Sequence, residues 1–324
     1  MPQPDISGWL QFSLQQMAAE SYLNGFQFTD SNTLIRRLLL GNNNTPTVDP
    51  ELNPDLDGKT RFTSAQAQEF VSRYQIIDHH ANDATGFSAT LMKDTTTGQY
   101  TLSFRSLEYQ NQVDGGDWER DGLLGAAGEI AGTGFALAQL VSMERYFQEL
   151  KANPLKLPPG AILNVTGYSL GGHLATVFTQ LHANEIATTH TFNGAGRGEI
   201  NGGTSGLSET DRIREMLQFT ENQMLDWDPT GDVFRSGNGG NIYNAQWYEG
   251  VRGQTVFQFR PTSSSLPPGQ IGSAPGFEKI TQLVGQATHN DQPYVANSGI
   301  HGSPTTVFIE DQPNVDGLGG LFGQ

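Results

Sequence analysis

Apolar residues recur at helical spacing over most of the N-terminal chain. Leu10, Leu14, Met17 and Ala18 fall on one face of an expected amphipathic helix over 7–23, and residues 31–40 predict a second helix. A third starts at Thr63, where Thr63 and Gln66 have the spacing of a capping box, and Phe70, Val71 and Tyr74 then share a face. The period changes after that. Phe87, Ala89 and Leu91 alternate with polar neighbours, a turn falls in Thr95–Gly98, and Thr101–Phe104 supplies the returning strand of a β-hairpin. Residues 107–121 are polar, Gly-rich and acidic, which predicts a loop. Residues 122–150 predict a long helix behind a Gly-rich start.

Ile162, Leu163 and Val165 predict a short buried strand. Leu174, Val177, Phe178 and Leu181 then stripe one face of a helix over 170–183. Thr189–Phe192 predicts another strand, and Ser208 with Asp211 opens a capped helix reaching about Asn222. Further on, the pattern supports a strand near 254–260, a helix near 277–285 and a strand near 305–309. Residues 41–60 carry Asn42, Asn44, Pro46, Pro50 and Pro54. They predict a long surface loop in preference to a loop ion site.

Composition narrows what such a chain can do. Of 324 residues, 36% are hydrophobic and 16% charged, enough apolar material for a large core. Lys and Arg number 18 against 34 Asp and Glu, a net charge of −16 that repels phosphate backbones and argues against a nucleic-acid partner. Neutral lipid remains open as a partner. No apolar run has the length of a transmembrane segment, about 18 residues. The first residues, Met1 to Asp5, lack the basic start and apolar run of a signal peptide. The absence of cysteine removes disulfides, thiolate nucleophiles and thiolate-zinc sites.

The segment with the most chemistry is Val165-Thr166-Gly167-Tyr168-Ser169-Leu170-Gly171-Gly172-His173, which contains G-x-S-x-G. An apolar strand precedes it and a striped helix follows. That context suits a strained strand-to-helix turn that leaves a serine exposed as a nucleophile. Glycines on both sides would let strand and helix approach without a Cβ clash. The helix start would favour developing negative charge, with the Leu170 N–H as a natural oxyanion donor.

Gly167 to Ala175 resembles the nucleophile motif of the class 3 (fungal-type) lipases. Phe104-Arg105-Ser106 resembles the F-R-G segment of that family, Asp117-Trp118 with Asp121 its D-W-x-x-D segment, and Gly134-Phe135 its G-F before a long helix. The order and rough spacing agree over about 85–311. The resemblance implies an α/β-hydrolase: a mainly parallel sheet flanked by helices, with the antiparallel hairpin towards one edge. It would form a single catalytic domain over 1–311, residues 1–80 being an N-terminal helical part and 312–324 a Gly-rich tail or linker. It also implies hydrolysis of lipid esters without a cofactor. Tyr168 stands where the family usually has His. The second oxyanion donor would be Leu107 or Ser106, Leu107 offering an N–H but no hydroxyl.

A nucleophilic serine needs a base, and the base an acid, in the chain order Ser, acid, His for this fold. Of seven His, only His289 and His301 follow Ser169 at a suitable distance. His301, in a loop just before the apolar 306–309 stretch, is preferred on the family pattern. His289 is the alternative. For the acid, Asp226, Asp228 and Asp232 lie together. Asp232, directly before Val233, fits the family pattern best and Asp228 second. The expected triad is therefore Ser169, Asp232 and His301.

Other features weigh less. His173, one turn along the helix, is expected to pack and hydrogen-bond rather than act as a base. Asp78-His79-His80 resembles part of a metal-phosphoesterase motif, but the other acid clusters of that pattern are missing, which favours cap and loop roles at the end of a helical segment. Residues 122–143 fit either an interfacial lid or an ordinary packed helix. Gly237 to Asn241 is a faint, single Gly/Asn calcium-repeat unit, better explained as a loop. The activity readings are a triacylglycerol lipase first, then a phospholipase A1 or broad ester or polyester hydrolase. A catalytically silent binding module is the non-enzymatic alternative. Export through a C-terminal signal is the expected localisation and the cytoplasm the alternative.

Overall fold

Thr63 and Gln66 form the capping box that their spacing predicts. The Gln66 N–H donates to Thr63 Oγ1 at 3.3 Å, and the Thr63 N–H donates to Gln66 Oε1 at 2.9 Å. The structure is a computed structural model. It describes residues 6–21, 23, 30–40, 62–83, 85–108, 117–122, 125–192, 194–198, 200 and 204–225, with the strand segments 244–245, 248–249, 255–256, 259–260 and 305–309. The expected long loop at 41–60, the helix near 277–285, the Gly237–Asn241 segment and the tail at 312–324 lie outside these residues.

In chain order the elements begin with α1 (Ile6–Glu20), α2 (Ser31–Leu40), α3 (Ser64–Arg73) and the strands β1 (Tyr74–His80), β2 (Ala89–Asp94) and β3 (Tyr100–Phe104). Then come α4 (Trp118–Asp121), α5 (Ala126–Thr133), α6 (Leu137–Ala152), β4 (Leu163–Tyr168), α7 (Leu170–Leu181), β5 (Ile186–Phe192) and α8 (Glu209–Leu225). The short strands β6 (Asn244–Ala245), β7 (Tyr248–Glu249), β8 (Thr255–Val256) and β9 (Phe259–Arg260) pair as β6 with β9 and β7 with β8. β10 (Thr305–Ile309) is last.

The sheet has six strands in the order β1-β2-β3-β4-β5-β10. β3, β4, β5 and β10 run parallel, and β2 and β1 join antiparallel at one edge. Strand residues alternate between two cores. Leu91, Leu102, Phe104, Leu163 and Val165 pack with α5 to α8 on one face. Met92, Phe192 and Ile76 pack with α1 to α3 on the other.

Three expectations change. Residues 74–80 are strand, not the end of a helical segment: α3 stops at Arg73 and Tyr74 turns extended at φ −109°. Ile76 then pairs antiparallel with Met92 of β2, and the register shifts at Ile77 before Asp78 pairs with Leu91, so tertiary pairing sets the conformation. The long helix over 122–150 is two helices. Gly134 sits at φ 78°, a left-handed cap that glycine adopts without steric cost, and separates α5 from α6. Leu10 is half exposed while Leu14, Met17 and Ala18 are buried, and the C-terminal half of α1 is buried on every side, Gln16 and Glu20 included.

Candidate active site

Phe104 pairs with Gly167 and Tyr168 with Phe192, so β3, β4 and β5 finish together at one edge of the sheet. Ser169 lies there, between β4 and α7. Its backbone has φ 50° and ψ −114°, and among the described residues it is the one non-glycine with positive φ. Such a conformation costs about 1–3 kcal/mol and persists only where the surroundings enforce it. Here the Ser169 N–H donates to Phe192 O at 3.0 Å, and the Ser169 carbonyl accepts from Ala195 N at 2.9 Å and His173 N at 3.2 Å.

The flanking glycines are required by close approach. A Cβ on Gly167 would strike the Gly171 carbonyl, and one on Gly171 the carbonyls of Phe104 and Arg105. A Cβ on Gly172 would lie 2.5 Å from Gly194 Cα. The first turn of α7 is thus pressed against the end of β3. Leu170 opens the helix, where first-turn N–H groups have no partner within the helix.

The loop that leaves β3 carries the other two expected donors. Ser106 is buried, and the carboxylate of Glu20 takes both its polar groups. The Ser106 N–H donates to Glu20 Oε1 and Oε2 at 3.1 and 3.3 Å, and Ser106 Oγ donates to Oε2 at 2.8 Å. Glu20 is itself buried and accepts from Gln16 Nε2 at 2.7 Å. Gln16 also donates to Phe104 O at 2.8 Å and accepts from Thr166 Oγ1 at 2.7 Å. Leu107, between Ser106 and Glu108, is half-buried against the core.

Beyond Leu107 lies a second buried network. Arg105 forms an ion pair with Glu108, and Arg120 Nε meets Asp117 Oδ1 at 2.5 Å. Asp121 accepts from the Glu108 N–H at 3.0 Å and from Gln139 Nε2 at 2.7 Å. Burial first, then the charges of Asp117 and Glu108, hold the Asp121 carboxyl well above its usual range. Carboxylate oxygens of Glu108, Asp117 and Asp121 lie within 4.8 Å of one another, the one group of metal-ligand type among the described residues. The guanidiniums of Arg105 and Arg120 pair with two of these carboxylates, and burial favours the neutral form of the third. The effect of the cluster is to tie residues 105–108 to α4 and α6.

His173 is buried, and its tautomer follows from its partners. Nε2 accepts from the Ala136 N–H at 3.1 Å, so Nδ1 carries the proton donated to Gly196 O. Both nitrogens thus tie the α5–α6 break to the loop after β5, a structural role. The residues Asp78, His79 and His80 do not converge as metal ligands. Asp78 pairs with Lys156 Nζ at 2.7 Å, His79 Nδ1 meets Thr90 Oγ1 at 2.9 Å, and His80 faces Asp83 at 3.4 Å. α5 is a packed helix: Ala126 and Ile130 are buried, and Glu129 accepts from the Ala138 N–H at 3.2 Å.

Asp232, Asp228, His289 and His301 lie outside the described residues. The register of β10 nonetheless bears on the two His. Thr305 pairs with Thr188 and Ile309 with Phe192, so β10 begins at the end of the sheet away from Ser169. Thr305 is about 13 Å back along the strand, at about 3.3 Å per residue, and two strands, about 10 Å, to the side of β4. The chain from 301 to 305 spans at most about 14 Å. From Thr305 the chain leads back to His301 over four residues and to His289 over sixteen, and both lie within reach of Ser169 by length of chain.

No protein-family model matches the chain. No curated protein matches it in sequence. Among solved structures it is similar to lipase II from Rhizopus niveus, at 15% identity and TM-score 0.30, over 52% of this chain and 65% of that one. It is also similar to a fungal lipase, at 18% identity and TM-score 0.26, over 54% of this chain and 57% of that one. The chain thus spans less than two thirds of either protein. At these TM-scores neither likeness assigns a fold or an activity.

Proposed function

We propose that the chain is an α/β-hydrolase that cleaves carboxylic esters with Ser169 as nucleophile, and that its substrates are lipid esters. The observation that carries this reading is the Ser169 backbone, strained to positive φ between β4 and α7 at the edge where three strands end. A buried helix start gains nothing from such strain unless the side chain it exposes has work to do.

In this reading Ser169 Oγ attacks the ester carbonyl carbon while its proton passes to a His from the C-terminal part. His301 is the first choice on the family pattern and His289 the alternative. Asp232, with Asp228 second, would hold the base in the correct tautomer. The tetrahedral oxyanion would receive hydrogen bonds from the N–H groups of Leu170 and Leu107, each worth about 3–4 kcal/mol of transition-state stabilisation. Collapse expels the alcohol with the proton from His and leaves an acyl-enzyme, which water then hydrolyses. Ser106 is left out of the hole because Glu20 holds its donors.

The test is fatty-acid release from a phosphatidylcholine with different acyl chains at its two positions, beside a triacylglycerol of matched chains, with Ser169→Ala as control. Release from triacylglycerol that Ser169→Ala abolishes supports a lipase. Release from one phospholipid position supports a phospholipase. Release from neither, with no turnover of short soluble esters, overturns the reading in favour of a silent binding module.

A further inference from the structure

α1 belongs to the N-terminal part of the chain, where the lipase resemblance finds little to match. Its last residue nonetheless reaches the loop beside Ser169. Glu20 buries a carboxylate that accepts both donors of Ser106, 86 positions along the chain. Taking a carboxylate out of water is costly unless charge-assisted hydrogen bonds replace the lost hydration, and Glu20 has them from Ser106 and Gln16. A surface helix needs only an apolar face to pack on a sheet. A buried carboxylate trained on one peptide group therefore suggests a purpose other than packing.

We propose that Glu20 is a positioning residue for the oxyanion hole: it fixes the Ser106 peptide so that the next N–H, that of Leu107, is held ready for the oxyanion. This rests on the ester-hydrolase reading above. The neighbouring contacts support it. On one side of Leu107, Glu20 holds Ser106, and Gln16 holds the Phe104 carbonyl. On the other side, Asp121 holds the Glu108 N–H. Leu107 is the residue between two fixed peptides. The loop also abuts the first turn of α7, because the carbonyls of Phe104 and Arg105 leave no room for a Cβ on Gly171. Oxyanion donors act through being oriented before the reaction, so a tether on the preceding peptide bears on kcat more than on KM.

The experiment compares wild type, Glu20→Gln, Glu20→Ala and Ser106→Ala in steady-state hydrolysis of p-nitrophenyl butyrate, with binding of a tetrahedral boronic acid inhibitor and thermal unfolding as companions. Glu20→Ala is expected to lower kcat about 10- to 100-fold with KM within about twofold, and to weaken boronic acid binding in parallel. Glu20→Gln keeps an acceptor for the Ser106 N–H and should recover kcat to within about fivefold of wild type. If Glu20→Ala does not fold, the assignment stands on Ser106→Ala, which loses only the hydroxyl bond and should lower kcat about 3- to 10-fold at unchanged KM. Folded Glu20 variants with wild-type kcat overturn the inference and leave the hydrolase reading intact. So do variants whose kcat falls only as thermal stability falls. A wild type that turns over no ester overturns both.

Discussion

Ser169 is held in a conformation that few side chains adopt, and its hydrogen bonds to Phe192 and Ala195 keep it there. Glycine at this position would adopt the same φ without the steric cost. Ser169→Gly should therefore abolish turnover while raising stability by about 1 kcal/mol, read from urea unfolding midpoints at unchanged slope. Stability lost in this variant would show the turn to be unstrained. The elbow was legible from sequence because G-x-S-x-G records a backbone requirement within five residues: the Gly167 and Gly171 positions are those where a Cβ would strike a carbonyl. The occupation of Ser106 was not legible. Its partner, Glu20, is 86 residues away on an element that reads as an amphipathic helix, and no local pattern marks a carboxylate as buried.

At the scale of elements, local chemistry and tertiary pairing divide the work. The α3 start was readable because both halves of its cap lie within four residues. Thr63→Ala should lower stability by about 1 kcal/mol, measured by chemical unfolding, since it removes an acceptor for one first-turn N–H. An unchanged midpoint would show that packing of Phe70 and Ala67 alone sets the helix. β1 was not readable. Its burial runs from alternating to half-buried along Asp78, His79 and His80, and only antiparallel pairing with β2 makes it a strand. The break at Gly134 follows Gly128 and Gly132 in the same stretch, so composition did not single it out, and the left-handed φ of Gly134 marks where α5 stops. His173 shows the consequence, since its Nε2 accepts the N–H of Ala136 that the break leaves over.

For the whole molecule, sheet direction and charge state matter most. Distance along the chain selected His289 and His301 as candidates but carried no information on which end of a parallel strand the preceding loop enters. The β10 register supplies that. Replacing each His by Ala separates them: the true base should lose about a thousandfold or more in kcat, and the other should stay within about twofold. Comparable loss in both would break the single-base account. Stability should also depend on pH through His79, whose pKa burial first, and then the charge of Arg105, lowers from 6.5 to about 3. The unfolded chain takes up this proton near pH 6.5 and the folded one does not. The contribution is therefore full above about pH 6.5 and is lost as pH falls towards 3. Asp121 has the opposite sign: its raised pKa gives a contribution lost as pH rises through its folded value. Thermal unfolding of His79→Gln should show a shallower decline between pH 6.5 and 3 than wild type, and an equal decline would place the acid limb on other groups.

The central claim is that Ser169 is a nucleophile, and covalent capture tests it most directly. The protein would be treated with a fluorophosphonate, which phosphonylates activated serines with loss of fluoride, and the adduct located by peptide mass mapping beside Ser169→Ala. A single adduct on Ser169, absent from Ser169→Ala, is the expected result. No adduct on a folded wild type, or one unchanged in Ser169→Ala, would contradict it.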